Sequence, residues 1–156
     1  MFKKFFIAIV AVIGICAGAR GAILPIDSYT ISRDKLPETA REMLDEHFPK
    51  AKVSMIKVDR HLLKKTDYDV KLTNGTRIKF DNKGKWKSVD CGKREVPSAL
   101  IHKTVSRHVT KNYASAKIVS VTKKLSGYVI GLSDSRCLSY DLLGIFKGEV
   151  SPEEEE

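Results

Sequence analysis

From Tyr68 to Thr73 apolar and polar residues alternate, with Tyr68, Val70 and Leu72 on one side and Asp69, Lys71 and Thr73 on the other. A period of two predicts a β-strand with one wet face. Asn74-Gly75 follows and predicts a tight hairpin turn of type I′, which needs positive φ at both central residues. Alternation resumes with Ile78 and Phe80 inward and Arg77 and Lys79 outward. Asp81-Asn82-Lys83-Gly84 reads as a second tight turn, and Trp86 opens a last strand through Val89. The stretch is an antiparallel meander with an apolar face and a charged face.

The pattern recurs sixty residues later, without a gap, from Tyr128 to Lys147. Tyr68, Leu72, Asp81, Gly84 and Lys87 return as Tyr128, Leu132, Asp141, Gly144 and Lys147. Val70, Ile78, Phe80 and Trp86 return as Ile130, Leu138, Tyr140 and Phe146. A repeat at fixed offset predicts one supersecondary unit used twice. The outward positions diverge: Asp69, Lys71, Arg77 and Lys79 become Val129, Gly131, Cys137 and Ser139. Either a binding surface in one copy or drift of a solvated face accounts for that.

A helical stripe precedes each meander. Leu36-Pro37-Glu38 opens the first helix, which runs to about His47 with Ala40, Met43 and Leu44 inward. Pro49 stops it. Val96-Pro97 is the predicted start of the second helix, five residues longer, with Ile101, Val105, Val109 and Tyr113 as its stripe. The segments from Ala51 to Val58 and from Ala116 to Lys123 are β-branched and read as the first strand after each helix. The tip between Asp59 and Asp67 is charged and holds Leu62 and Leu63, which either contact a partner or fold back on the domain. The expected fold class is therefore α+β: two tandem repeats, each a helix followed by a four-stranded antiparallel meander, with the helices packed on one face of the sheet.

Residues 1–19 have the form of a secretory signal. Lys3 and Lys4 precede an apolar run from Phe5 to Ile15, and Ala17-Gly18-Ala19 places cleavage after Ala19. The run is short for a membrane span, and no transmembrane span is expected in the exported chain. Residues 20–33 are a lead-in, in which Tyr29 and Ile31 either add a short edge strand or belong to a flexible leader. The domain proper is expected over 34–148, as repeats 34–90 and 94–148. Residues 149–156 are expected to form an acidic, disordered tail, with Glu153 to Glu156 as its like-charge run.

The formal charge is +9 and the isoelectric point near 9.5. Cleavage removes Lys3 and Lys4 and leaves +7. Export and the absence of a nucleic-acid-binding motif turn this charge toward acidic proteins or anionic envelope surfaces rather than nucleic acid. His47, His61, His102 and His108 fall in no zinc spacing, and there is no phosphate loop or nucleophile elbow. No cofactor is expected, and no nucleophile–base pair is legible. Asp59, Asp67 and Asp69 form a weak cation-site candidate against a solvated face. Cys91 and Cys137 either bridge or remain thiols.

The run Tyr68-x-Val70-x-Leu72-x-Asn74-Gly75, then Ile78-x-Phe80-Asp81-x-x-Gly84-x-Trp86, resembles the PepSY-like proteins. Phe48-Pro49-x-Ala51-Lys52 before it and Val96-Pro97 after it complete the pattern. These are small exported proteins typical of Bacteroidetes, β-lactamase-inhibitor-like in fold, and the resemblance spans residues 34–147. It implies two tandem units of a helix plus a four-stranded sheet and supplies no catalytic residues. It implies a periplasmic or secreted binding module whose open sheet face clamps a protein or peptide, inhibition being one outcome. Lys71, Arg77, Lys79 and Lys87 would steer an acidic partner, with Leu62 and Leu63 as anchors. A small-ligand- or calcium-responsive envelope protein is the alternative.

Overall fold

A computed structural model describes residues 27–60 and 66–151. The proposed leader and its cleavage site, Leu62, Leu63 and the tail residues 152–156 lie outside the described residues.

The chain forms one nine-stranded antiparallel sheet whose strands lie side by side in sequence order. They are β1 (Ser28–Thr30), β2 (Val53–Asp59), β3 (Asp67–Leu72), β4 (Arg77–Phe80), β5 (Trp86–Asp90), β6 (Ile118–Lys124), β7 (Gly127–Leu132), β8 (Cys137–Asp141) and β9 (Phe146–Val150). The helices α1 (Glu38–His47) and α2 (Lys103–Asn112) have ten residues each.

This corrects the expected fold class. The molecule is mostly β, a continuous nine-stranded sheet with two short helices, rather than an α+β pair of tandem helix-plus-four-strand units. The physical reason lies at the border between the sequence copies. There β5 pairs with β6 through Ser88↔Thr122, Val89↔Val121 and Asp90↔Ser120. Two separate meanders would each leave an inner edge with unpaired backbone groups, and joining them satisfies both. At the outer edge the lead-in contributes β1, with Tyr29 opposite Lys57.

Local chemistry explains the elements. Pro37 precedes the first turn of α1, and Ala40, Met43 and Leu44 face inward at helical spacing. The second helix does not open at Val96-Pro97. Ser98–Leu100 make a 3-10 turn, Ile101 is extended, and His102 caps α2, its Nδ1 accepting from the Thr104 N–H at 3.3 Å. Asn74-Gly75 is not a type I′ turn, because Asn74 is not at positive φ. The Gly75 N–H donates to the Leu72 carbonyl at 2.9 Å and Gly75 has φ +87°, giving a turn closed by a left-handed residue. The equivalent residue in the later hairpin is Ser135, at φ 69°.

One core joins everything. Ile56, Val70, Ile78, Phe80 and Val89 from β2 to β5, and Val121, Ile130, Leu138 and Tyr140 from β6 to β8, belong to one buried cluster with both helices. The opposite sheet face is open over its first half.

Candidate functional site

The registers fix what the open face carries. One row across the strands reads Met55, Lys71, Arg77, Asp90, Ser120, Gly131, Cys137 and Val150. The next reads Lys57, Asp69, Lys79, Ser88, Thr122, Val129, Ser139 and Gly148. Charge in these rows is confined to the β2–β5 half. Between β3 and β6 the face forms a groove of about 690 Å³. Arg77, Lys79, Lys87, Lys123 and Lys124 line it against Asp69 and Asp90, with Ser88, Ser120 and Thr122 on its floor.

Of the basic residues expected here, Arg77, Lys79 and Lys87 meet in the groove, while Lys71 stands on the same face beside it. Lys71 and Arg77 are direct cross-strand partners and both are exposed. Like charges placed opposite one another destabilise a strand pair. The face thus keeps a repulsive contact that folding does not need. Arg77 is relieved on its other side by Asp90, and Lys79 by Asp69.

A smaller hollow of about 320 Å³ adjoins the groove. Here Lys57 Nζ lies 3.0 Å from Asp27 and 3.3 Å from Asp59, and Lys87 Nζ lies 3.2 Å from Asp67. Hydrogen bonds to Asp27 and then Asp59 push Lys57 up to about 12. Asp59 and Asp67 are cross-strand partners, but each is committed to a lysine. Among the described residues no group of three His, Cys, Asp or Glu side chains is placed to hold a metal ion.

Sequence reasoning missed Asp90, which stands opposite Arg77 across β4–β5, and Ser120, Thr122, Lys123 and Lys124, which reach the groove only because β5 and β6 pair. Lys123 Nζ sits 3.4 Å from the centroid of the Trp86 ring. Burial, and then the charge of Lys85, hold its pKa below the usual lysine value. The cation–π contact offsets part of that desolvation.

The cysteines are separate. Cys91 and Cys137 are both buried and are not joined to each other by a disulfide. Asp90, next to Cys91, shares a row with Cys137 with two strands between them, so at ~4.8 Å per strand the backbones stand about 14 Å apart, twice the ~7 Å Cα separation that bridging allows. Burial pushes the Cys91 thiol up. His108 Nδ1 lies 2.9 Å from the Tyr140 hydroxyl, and its ring stacks on Phe146 at 4.6 Å. Burial raises Tyr140 to about 12. With Tyr140 only 2% exposed, this pair is part of the packing.

The chain belongs to the PepSY-like, β-lactamase-inhibitor-like family, whose profile matches residues 24–65 and 66–148. It is similar to a solved protein of Bacteroides vulgatus, provisionally described as periplasmic and of unknown function. The two share 35% identity and superpose with a TM-score of 0.78 over 81% of this chain and 100% of that one. A Bacteroides thetaiotaomicron protein, provisionally described as calcium-regulated and periplasmic, is 30% identical with a TM-score of 0.75. That match covers 80% of this chain and 97% of that one. A second B. vulgatus protein, also provisionally described as periplasmic, is 30% identical, with a TM-score of 0.73 over 80% of this chain and 97% of that one. Among curated proteins none matches. Among the described residues no helix is long and apolar enough to cross a membrane.

Proposed function

We propose that the chain is a non-catalytic periplasmic module that binds an acidic segment of a protein across the β3–β6 half of its open sheet face. The observation that carries this reading is the exposed Lys71↔Arg77 pair beside a groove in which Arg77, Lys79, Lys87 and Lys124 face Asp69 and Asp90. Such a field steers and orients an acidic partner, and its strength falls with salt. Periplasmic placement is supported by the similar Bacteroides proteins. The leader read in residues 1–19 is the proposed route there. The proposed domain of residues 34–148 is extended in the sheet by β1 and by Glu149 and Val150 of β9, which the sequence pattern assigns to the lead-in and the tail.

The test is capture from an envelope extract. The protein should retain a stoichiometric partner at low salt and release it at high salt. The exposed double reversal Lys71→Glu/Lys79→Glu should lose it while melting at an unchanged temperature. Capture that survives the reversal removes this mapping.

A calcium response is the second reading, because one similar protein is described as calcium-regulated. In this chain Asp59 and Asp67 are already paired with lysines, which puts the reading behind the first. A rise in melting temperature at millimolar calcium, abolished by Asp67→Asn, would reverse that order.

A further inference from the structure

Two turns at the same end of the sheet share one backbone design. In the first, Asp81 Oδ1 accepts from the N–H groups of Lys83 at 2.8 Å and Lys85 at 2.9 Å. In the second, Asp141 Oδ1 accepts from those of Leu143 and Ile145, both at 2.9 Å. Gly84 and Gly144 close them at φ +80° and +77°. The outward positions are Asn82, Lys83 and Lys85 in one turn and Leu142, Leu143 and Ile145 in the other. The backbone is indifferent to this exchange, so folding does not explain the aliphatic residues. They remain largely in water, 59%, 69% and 52% exposed.

A fourth aliphatic residue joins them. Lys124 pairs with Gly127 at the β6–β7 tip, and Gly127 pairs with Asp141. That register sets Leu125, fully exposed, beside the Leu142–Ile145 turn. Single exposed leucines need no explanation. Four on adjacent turns expose a few hundred Å² of apolar surface, the size at which such patches mark interaction sites. The rim is cationic. Lys124 leads into Leu125, Lys83 and Lys85 occupy the turn on the other side of the Leu125 tip, and Lys147, 3.7 Å from Asp141, follows Ile145.

An aliphatic centre with a lysine rim matches the boundary of an anionic lipid leaflet, where acyl chains lie beneath phosphate groups. It fits a second copy of the chain poorly, because a two-fold contact would bring one lysine rim against the other. We propose that this end of the sheet docks the protein onto an anionic bilayer, with Leu125, Leu142, Leu143 and Ile145 entering the headgroup–acyl boundary. The aliphatic centre lies at the strand ends, outside the open-face rows, while the rim shares Lys124 with the groove. Substitutions at Leu142 and Leu143 therefore separate this proposal from the acidic-partner reading.

The test is co-sedimentation of the chain from Arg20 onward, which retains every described residue, with vesicles. Phosphatidylglycerol–phosphatidylethanolamine vesicles should pellet it, and pure phosphatidylcholine vesicles should not. High salt should weaken binding without abolishing it. Leu142→Asp/Leu143→Asp, at exposed positions, should lower partitioning at least tenfold with an unchanged melting temperature. Failure to pellet with anionic vesicles at low salt would overturn the proposal. So would equal binding by the double variant, which would assign binding to charge elsewhere. A concentration-dependent dimer that the variant dissolves, without lipid binding, would also overturn it by assigning the patch to a second copy.

Discussion

Along one row of the open face, β3 and β4 carry Lys71 and Arg77, whereas β7 and β8 carry Gly131 and Cys137. One row further, Lys79 has its counterpart in Ser139. On the helix side the two regions hardly differ: Val70, Leu72, Ile78 and Phe80 are answered by Ile130, Leu132, Leu138 and Tyr140, all buried. Packing against the helices constrains one face of both regions, so volume and hydrophobicity recur there. The other face is released from that constraint, and only there do the regions part. Both proposed contacts lie where that constraint is absent, on the charged face of β2–β5 and on the aliphatic turn after β8.

The comparison can be broken at its shared points. Gly84 and Gly144 occupy the same position in their turns but meet different neighbours. A Cβ on Gly84 would stand 2.8 Å from the backbone nitrogen of Ala40, whereas on Gly144 it would stand 2.6 Å from the His102 ring. Backbone cannot yield, so Gly84→Ala should cost roughly 2–4 kcal/mol from left-handed strain and overpacking. Gly144→Ala should cost less, since the His102 ring can swing aside at the expense of its cap. Urea denaturation of the two variants checks the order, and equal losses would contradict it.

Tyr140 sharpens the contrast with Phe80, which has no hydroxyl. Tyr140→Phe should destabilise by about 1 kcal/mol, with more if His108 is left unpaired. It should also change the alkaline limb. Folded Tyr140 keeps its proton up to about 12, while the ordinary value is 10.0. Its contribution is therefore fully present below pH 10 and is lost as pH rises toward 12. The phenylalanine variant should lack that decline in denaturation measured across about pH 9 to 12.

The hairpin turns make a reciprocal pair. Ser135 holds φ 69° where Gly75 holds +87°. A non-glycine residue pays about 1 kcal/mol there, so Ser135→Gly should stabilise by that amount and Gly75→Ser should do the reverse, read as shifts in melting temperature.

The smallest effect concerns Asp141. Backbone hydrogen bonds from Ile145 and Leu143, with the charge of Lys147, hold its carboxyl below the ordinary value of 3.8. A depressed folded pKa stabilises above the unfolded value and is lost as pH falls through the folded one. Asp141→Asn should therefore flatten the stability profile below about pH 4 without changing the fold.

Much of the local structure is legible in the sequence. Alternation at Tyr68, Val70 and Leu72, the Asp81–Gly84 turn, and Ala40, Met43 and Leu44 on α1 are where periodicity puts them. Local pattern does not show that β5 and β6 pair across the border, so it yields two units instead of one sheet. The same blindness hides the groove, because Lys123, Lys124 and Thr122 reach it only through that pairing. The start of α2 escapes the pattern because Pro97 suits a 3-10 turn as well as a helix, and the capping role of His102 depends on a side-chain hydrogen bond. The aliphatic turn is visible as Leu142, Leu143 and Ile145 set against Asn82, Lys83 and Lys85. Its meaning needs their exposure, which only the structure gives.

The most direct test of the central claim is amide chemical-shift mapping of the labelled protein during titration with a short oligoglutamate peptide at low salt. The account predicts saturable shifts confined to the rows around Arg77, Lys79, Ser88 and Thr122, with Gly131, Cys137 and Ser139 unmoved. Shifts spread evenly over both regions, or none from a folded protein, would contradict it.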